Sequence, residues 1–257
     1  MAMPYQRRAS ACPAIATIPA VAAGQQAAGT MAPDASNVVK QRASNPDMAD
    51  ANAVAVLEHM VERFHPRLYV ACSFQKEASV IMDMLVRIEP RARFFTLDTG
   101  LFFPETYAAW RALEARYAIT VEVYQGMSLA RQAHAHGDAL WADDPDGCCA
   151  IRKVAPLDAA LGQVDAWISG VRREQAGTRR EAAKVEWDRR HGLWKANPLA
   201  DWSEQDVWRY IVEHDVPYNR LHDRGYASIG CTHCTAPGVG REGRWAGTGK
   251  VECGLHR

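Results

Sequence analysis

Arg67-Leu68-Tyr69-Val70-Ala71-Cys72-Ser73 is a short apolar run, and Phe74-Gln75-Lys76-Glu77 leads it into Ala78 to Ile88, where helical spacing resumes. A brief apolar run followed by a helix predicts a buried strand of an α/β protein. The turn between them, Ser73 to Glu77, stands where free backbone N–H groups and the helix dipole favour an anion. Its hydroxyl and Lys76 add donors suited to phosphate or sulfate. The stretch matches neither the GxGxxG nor the GxxxxGK[ST] pattern, so alone it also fits an ordinary turn capped by Ser73.

The same rhythm continues on both sides. Upstream, Val54, Leu57, Val61 and Phe64 place a helix up to about His65, and Pro66 stops it. Downstream, Arg93 to Leu97 reads as a second strand closing on Asp98-Thr99-Gly100. A helix follows Pro104 to about Tyr117, Thr120 to Tyr124 alternates as a third strand, and Val164 to Gly170 is a further candidate. Strands separated by helix-length segments predict a doubly wound, mostly parallel sheet whose ligand crevice lies at the carboxyl ends of the strands. Ser203-Glu204-Gln205-Asp206 caps a later helix with Val207, Trp208, Ile211 and Val212 on its apolar face, ended by Pro217. Cys72 reads as a small core hydrophobe.

Composition narrows the function. The 257 residues carry 30 basic and 30 acidic side chains, so no net charge points to nucleic acid or an anionic membrane. No apolar run approaches the ~18 residues of a membrane span. Residues 1–50 are rich in Ala, Pro, Gln and Ser without apolar periodicity, and read as a disordered extension containing an idle Cys12. Arg7-Arg8-Ala9-Ser10 faintly resembles a twin-arginine signal, and the lack of an acid before Asp34 hints at a transit peptide. Residues 51–257 then form a single domain without internal repeats. The seven cysteines, two of them adjacent, argue against a secreted disulfide scaffold and for reduced thiols in a cytoplasmic setting.

Three groups of residues carry chemistry. Gly170 to Arg180 holds Arg172, Arg173, Arg179 and Arg180 just after a predicted strand; it is either a solvated loop or a clamp for phosphate and sulfate oxygens. Cys148-Cys149 and Cys231-x-x-Cys234 supply four thiolates, enough for zinc or a cubane iron–sulfur cluster. Adjacent cysteines diverge and reach one ion poorly, which favours the cluster; Arg152 and Lys153 would lie against it. Cys253 follows a run bearing Gly238, Gly240, Gly243, Gly247 and Gly249, with Arg241, Arg244, Lys250 and His256 nearby. A thiol on such an arm, beside cations, suits attack on an anionic electrophile. Residues 230–257 therefore read as a mobile segment carrying the nucleophile.

Cys148-Cys149, Cys231-Thr232-His233-Cys234 and Glu252-Cys253-Gly254-Leu255-His256 together resemble the assimilatory adenylylsulfate (APS) reductases, the iron–sulfur branch of the sulfonucleotide reductases. The likeness runs from about Leu57 onward and includes Ser73-Phe74, Leu97-Asp98-Thr99-Gly100, Gly170-Val171-Arg172-Arg173 and Arg241-Glu242-Gly243-Arg244-Trp245. It implies an adenine-nucleotide α-hydrolase-like fold and thioredoxin-dependent reduction of adenylylsulfate to sulfite and AMP, in sulfate assimilation and cysteine biosynthesis. By matching position, Cys148, Cys149, Cys231 and Cys234 would hold one [4Fe-4S] cluster with Lys153 beside it. Cys253 would attack the sulfate sulfur and become an S-sulfocysteine. Ser73, Leu97 and Gly100 would bind the nucleotide, and Arg172, Arg241, Arg244 and His256 would face phosphate and sulfate.

Many family members place an acid after the glutamate of the turn, but here Ala78 follows Glu77, and no role is assigned to that glutamate. Plant-type members add a thioredoxin-like domain, whereas this chain stops at Arg257, so external thioredoxin, or a glutaredoxin-like reductant, is the expected partner. Self-association into a homo-oligomer is allowed. The alternatives are a reductase of the phosphorylated nucleotide PAPS or of both, and a zinc-stabilised nucleotide-binding protein without reductase activity. PAPS reductases typically lack the four paired cysteines.

Overall fold

In the computed structural model, which describes residues 47–256, helix α1 (Ala53–Phe64) precedes strand β1 (Leu68–Ala71), and α2 (Lys76–Ile88) leads to β2 (Arg93–Leu97). Next come α3 (Pro104–Tyr117), β3 (Val121–Tyr124), α4 (Leu129–His136), α5 (Leu140–Asp143) and α6 (Pro145–Cys149). A π-helical turn, Ala150–Val154, joins α6 to α7 (Ala155–Leu161), which is followed by β4 (Ala166–Ile168), the hairpin β5 (Val185–Asp188) and β6 (Leu193–Ala196), and α8 (Glu204–His214). The expected disordered extension lies outside the described residues up to position 46, as does Cys12, and the described residues belong to one compact unit. No described helix is long and apolar enough to cross a membrane.

The six strands form one sheet in the order β3-β2-β1-β4-β6-β5, parallel except for the antiparallel β5–β6 pair. The chain winds outward from β1 through β2 to β3, then returns to β4 on the other side of β1. The gap between β1 and β4 is therefore the switch point, where diverging loops leave a crevice at the carboxyl ends of the strands. Ser73 follows β1, Leu97 ends β2 and Gly170 follows β4, so all three reach that edge.

Packing fixes the frame. One face of the sheet buries Val70, Phe94 and Ile168 against Leu57, Met60, Ile81 and Leu85 of the helices, and the other buries Tyr69, Phe95 and Trp167 against Leu157 and Leu161. Each such side chain contributes on the order of 1.5–3 kcal/mol on leaving water. Asp83, buried in α2, accepts from Tyr117 Oη of α3 at 3.0 Å and Tyr210 Oη of α8 at 2.7 Å, tying three helices by one carboxylate.

Two helical faces differ from the sequence reading. In α1 the buried stripe is Val56, Leu57, Met60 and Phe64, while Val54 is 43 % exposed. Asn52 caps the helix, its side chain accepting from the Ala55 N–H at 2.9 Å. In α8, Ser203 and Asp206 form the expected reciprocal cap, yet only Val207 and Ile211 of the four proposed face residues are buried, and Val212 is 78 % exposed. Valines tolerate either side at a helix edge, so the apolar letter alone overstated the stripe.

Candidate active site

The strand-to-helix turn after β1 is shaped by Phe74. Its φ of 55° is left-handed, unusual for a bulky residue, and its ring is fully buried against Trp110 with centroids 5.0 Å apart. Turning the ring into the core leaves Ser73 at the surface and lining the crevice. Gln75, not Ser73, caps α2, and its side chain is occupied elsewhere, accepting from the Ile229 N–H at 2.7 Å. The Lys76 N–H donates to Nε2 of His222 at 3.4 Å, while His222 Nδ1 meets the Tyr226 carbonyl at 2.7 Å. That geometry demands a neutral imidazole. Burial, reinforced by Lys76, accordingly pulls His222 down to about 4.

The crevice encloses about 1040 Å³ counted out to its mouth. Strand-end residues, Ser73, Leu97 and Gly170, line one wall; Cys253, Arg241, Arg244 and His256 line another. The closing segment is docked in it. Glu252, 8 % exposed, accepts from Arg179 Nε at 2.8 Å and Nη2 at 2.9 Å, from Thr178 Oγ1 at 3.0 Å and from Arg241 Nη2 at 3.0 Å. His256 lies parallel to Trp167 with ring centroids 5.8 Å apart.

Several donors in this wall have no intramolecular use. Nε of Arg241, Nε of Arg244 and Nδ1 of His256 are buried without a hydrogen-bond partner among the described residues. Groups of this kind are costly unless a ligand satisfies them. Burial, then the adjacent Arg179, pulls Arg241 down to about 10, the mark of crowded cations. Burial, then Lys195, Arg179 and Arg241, holds His256 well below the ordinary histidine value. Arg244 is placed by Gly230: a Cβ there would fall 2.4 Å from Arg244 Nη2, so only glycine lets the guanidinium lie on this backbone.

Behind the crevice is another cavity, about 300 Å³ counted out to its mouth, lined by Cys148, Cys149, Cys231 and Cys234 with Arg152 and Lys153. Asp144 caps α6 by accepting from the Gly147 N–H at 2.9 Å, and so presents Cys148 and Cys149 inward. Cys231 is brought opposite by pairing with the loop after β2, the Thr232 N–H donating to Leu101 O at 2.8 Å. The π-helical turn aims Arg152 and Lys153 at the thiols. Arg152 Nη1 donates to Thr99 O at 2.6 Å, yet its Nε and Nη2 are buried without a partner among the described residues. Burial, then Cys149, Cys231 and Cys234, pushes Cys148 up to about 11 against the opposing pull of Arg152. No three Cys, His, Asp or Glu side chains of the described residues come together closely enough for a single metal ion. The four thiols that line this cavity would hold a group able to bind several thiolates at separate points. Lys153 lines both cavities and forms their common wall.

The phosphoadenosine phosphosulfate reductase domain is matched by residues 67–237. The chain belongs to this family. A phosphoadenosine 5'-phosphosulfate reductase of Gloeobacter violaceus is 48 % identical over 210 residues, covering 79 % of this chain and 87 % of that one. An adenosine 5'-phosphosulfate reductase of Salinibacter ruber is 43 % identical over 208 residues, covering 79 % and 82 %. The crystal structure of a phosphoadenylyl-sulfate reductase from Candida auris, a phosphate complex, matches with a TM-score of 0.66 at 31 % identity, covering 81 % of this chain and 100 % of that one. An FMN adenylyltransferase of Candida glabrata shares the fold alone, with a TM-score of 0.53 at 11 % identity over 79 % of this chain and 71 % of that one. The fold is thus the expected adenine-nucleotide α-hydrolase type, and this reductase is an oxidoreductase of the sulfonucleotide kind.

Most residues that the resemblance implies for the site line these two cavities, but Arg172 and Gly100 do not. Arg172, expected to face phosphate and sulfate, is 3 % exposed and lines a neighbouring pocket with Arg179 and Arg241, its Nε and Nη2 both 3.0 Å from Glu77 Oε1 and its Nη1 donating to Trp202 O at 3.2 Å. Burial alone would raise the Glu77 carboxyl, but Lys76 and Arg172 hold it below the usual range, which gives the unassigned glutamate a partner. Gly100, with φ 68°, shapes the turn after β2 and is not among the crevice-lining residues. Sequence reasoning grouped Arg179 with its loop without singling it out, and missed Glu252 as a contact. The available signal was the acid immediately before Cys253 in a chain that carries four arginines from Gly170 to Arg180.

Proposed function

We propose that this reductase converts adenylylsulfate to sulfite and AMP through an S-sulfocysteine on Cys253, in sulfate assimilation leading to cysteine. The observation that carries this reading is that Cys253 lines the switch-point crevice together with Ser73, Leu97, Arg241, Arg244 and His256. The nucleotide would lie along Ser73 and Leu97, with its phosphosulfate toward Lys153, Arg241, Arg244 and His256. Cys253 Sγ attacks the sulfate sulfur, a new S–S bond forms, the bond to the bridging oxygen breaks, and that oxygen keeps its electron pair as AMP leaves. Cations at the phosphate stabilise the charge that develops there. One thiolate of a dithiol reductant, thioredoxin or a glutaredoxin-like protein, then attacks Cys253 Sγ and expels sulfite. Its second thiol resolves the mixed disulfide, so the dithiol supplies both electrons and Cys253 is returned reduced.

Cys148, Cys149, Cys231 and Cys234 would hold a [4Fe-4S] cluster. When bound, it supplies a net-negative, polarisable centre on the far side of Lys153. Four thiols lining one pocket, two of them adjacent in sequence, support a cluster over a single zinc ion. All six described cysteines are free, which fits a reducing, cytoplasmic setting.

The paired cysteines support adenylylsulfate as substrate, while the Gloeobacter relative, 48 % identical, carries the name of a PAPS reductase and keeps that second reading open. Rates on the two nucleotides with thioredoxin decide between them: a higher kcat/KM on adenylylsulfate is expected, and a preference for PAPS overturns the substrate assignment. Iron and acid-labile sulfide in anaerobically purified protein test the cofactor, and zinc without sulfide would contradict it.

A further inference from the structure

We propose that Glu252 is a positioning residue for Cys253: its carboxylate clamps the closing segment onto Thr178, Arg179 and Arg241, holding the thiol in place for attack on the nucleotide but not for release of sulfite. The inference rests on the S-sulfocysteine reading above. Glu252 directly precedes Cys253, so wherever the carboxylate is fixed, the thiol is fixed within one residue. The fixing is directional. Arg179 presents Nε at 2.8 Å to Oε1 and Nη2 at 2.9 Å to Oε2, a two-pronged contact that sets orientation as well as distance. Thr178 Oγ1 at 3.0 Å and Arg241 Nη2 at 3.0 Å complete the ring of donors. Arg241 Nη2 also meets the Val251 carbonyl at 3.3 Å, so two successive residues before the thiol share one guanidinium.

Other contacts of this segment are weaker candidates for that role. Lys250 Nζ donates to Pro145 O at 2.8 Å and pairs with exposed Asp146 at 2.7 Å, and Arg190 reaches Gly254 O at 3.4 Å from an exposed position. The Glu252 clamp joins side chains that are 10–14 % exposed, where screening by water is reduced. It also joins the segment to arginines that themselves line the crevice. Arg241 and Arg244 both line the crevice, so a substrate phosphosulfate there would still meet their guanidinium groups. Clamp and anion can therefore share the arginines, and loss of the clamp is expected to reduce the attack rate more than substrate affinity.

The two half-reactions separate this role from general support of the fold. Full-chain enzyme, wild type and Glu252→Gln, is mixed with adenylylsulfate without reductant, and the rate of sulfonate appearance on Cys253 is followed by intact mass. The adducts are then mixed with reduced thioredoxin and sulfite release is timed. For Glu252→Gln the first step is expected to slow by ~10²-fold, the scale of misplacing a reacting group by about an ångström. Release should be unchanged or faster, and alkylation of Cys253 by uncharged iodoacetamide should be accelerated. Glu252→Asp, which keeps the charge but shortens the reach, should fall between, and it carries the same test if the glutamine variant does not fold. Equal first-step rates in wild type and variant, or equal slowing of both steps, would overturn the clamp. Wild-type enzyme that gains no sulfonate on Cys253 would instead overturn the reading on which it rests.

Discussion

The four paired cysteines and Cys253 use the same side chain in opposite surroundings, on either side of Lys153. Cys148, Cys149 and Cys231 are buried in a small cavity with Cys234 half-buried beside them, and each is positioned by local backbone structure: a capped helix on one side, a short pairing with the β2 loop on the other. Cys253 is half-buried at the wall of a larger, open crevice, and ion pairs of its neighbour hold it there. Thiols set in backbone suit permanent ligands; a thiol set by side-chain ion pairs suits a reagent that must also meet a protein reductant.

That contrast is most sharply broken by exchanging the thiols one at a time. Cys253→Ser should lower sulfite formation by ~10⁴-fold or more, the scale of deleting a covalent nucleophile, while iron and sulfide content stays at the wild-type level. Cys231→Ser should lose both iron and activity, measured by metal analysis beside the rate. A Cys253→Ser protein that loses its iron would merge the two regions and contradict the division.

Arginines repeat the comparison with smaller effects. Arg244→Ala, removing a buried guanidinium with an unengaged Nε, should cut kcat/KM by ~10²–10³-fold with little change in melting temperature. Arg172→Ala should instead strand the Glu77 carboxylate and destabilise the fold by about 3–5 kcal/mol, read from denaturant unfolding. Gly230→Ala is expected to resemble a milder Arg244 variant, since the new methyl would displace the guanidinium.

The smallest effect concerns the turn that supports the crevice. His222 is held at about 4 by burial and by Lys76. The folded protein binds this proton less tightly than the unfolded chain, so the contribution to stability is intact above the ordinary histidine value of about 6.5 and fades as pH falls toward 4. Unfolding free energy measured across that window should decline with acidification, and His222→Gln, which can keep both hydrogen bonds without titrating, should flatten the decline.

Much of the frame was legible because apolar runs and punctuation agree. β2 and α3 fall on the predicted Arg93 to Leu97 and Pro104 to Tyr117, bounded by Asp98 and by proline. β5 and β6 were missed: they form an antiparallel hairpin joined by a short turn, outside the strand–helix alternation by which the other strands were read, although Trp187 and Trp194 pair across it with ring centroids 5.3 Å apart. At the site, residue types announced the chemistry but not its geometry. The sequence shows four arginines after β4; that Arg172 serves Glu77 while Arg179 serves Glu252 depends on which side of the loop each guanidinium leaves, and only the folded backbone decides that.

The most direct test of the account is the covalent state of Cys253 after one turnover without reductant. Protein incubated with adenylylsulfate, digested and mapped by mass is expected to carry a single sulfonate on the peptide containing Cys253, with AMP released in equal amount. AMP released with Cys253 unmodified, or a sulfonate on any other cysteine, would contradict it.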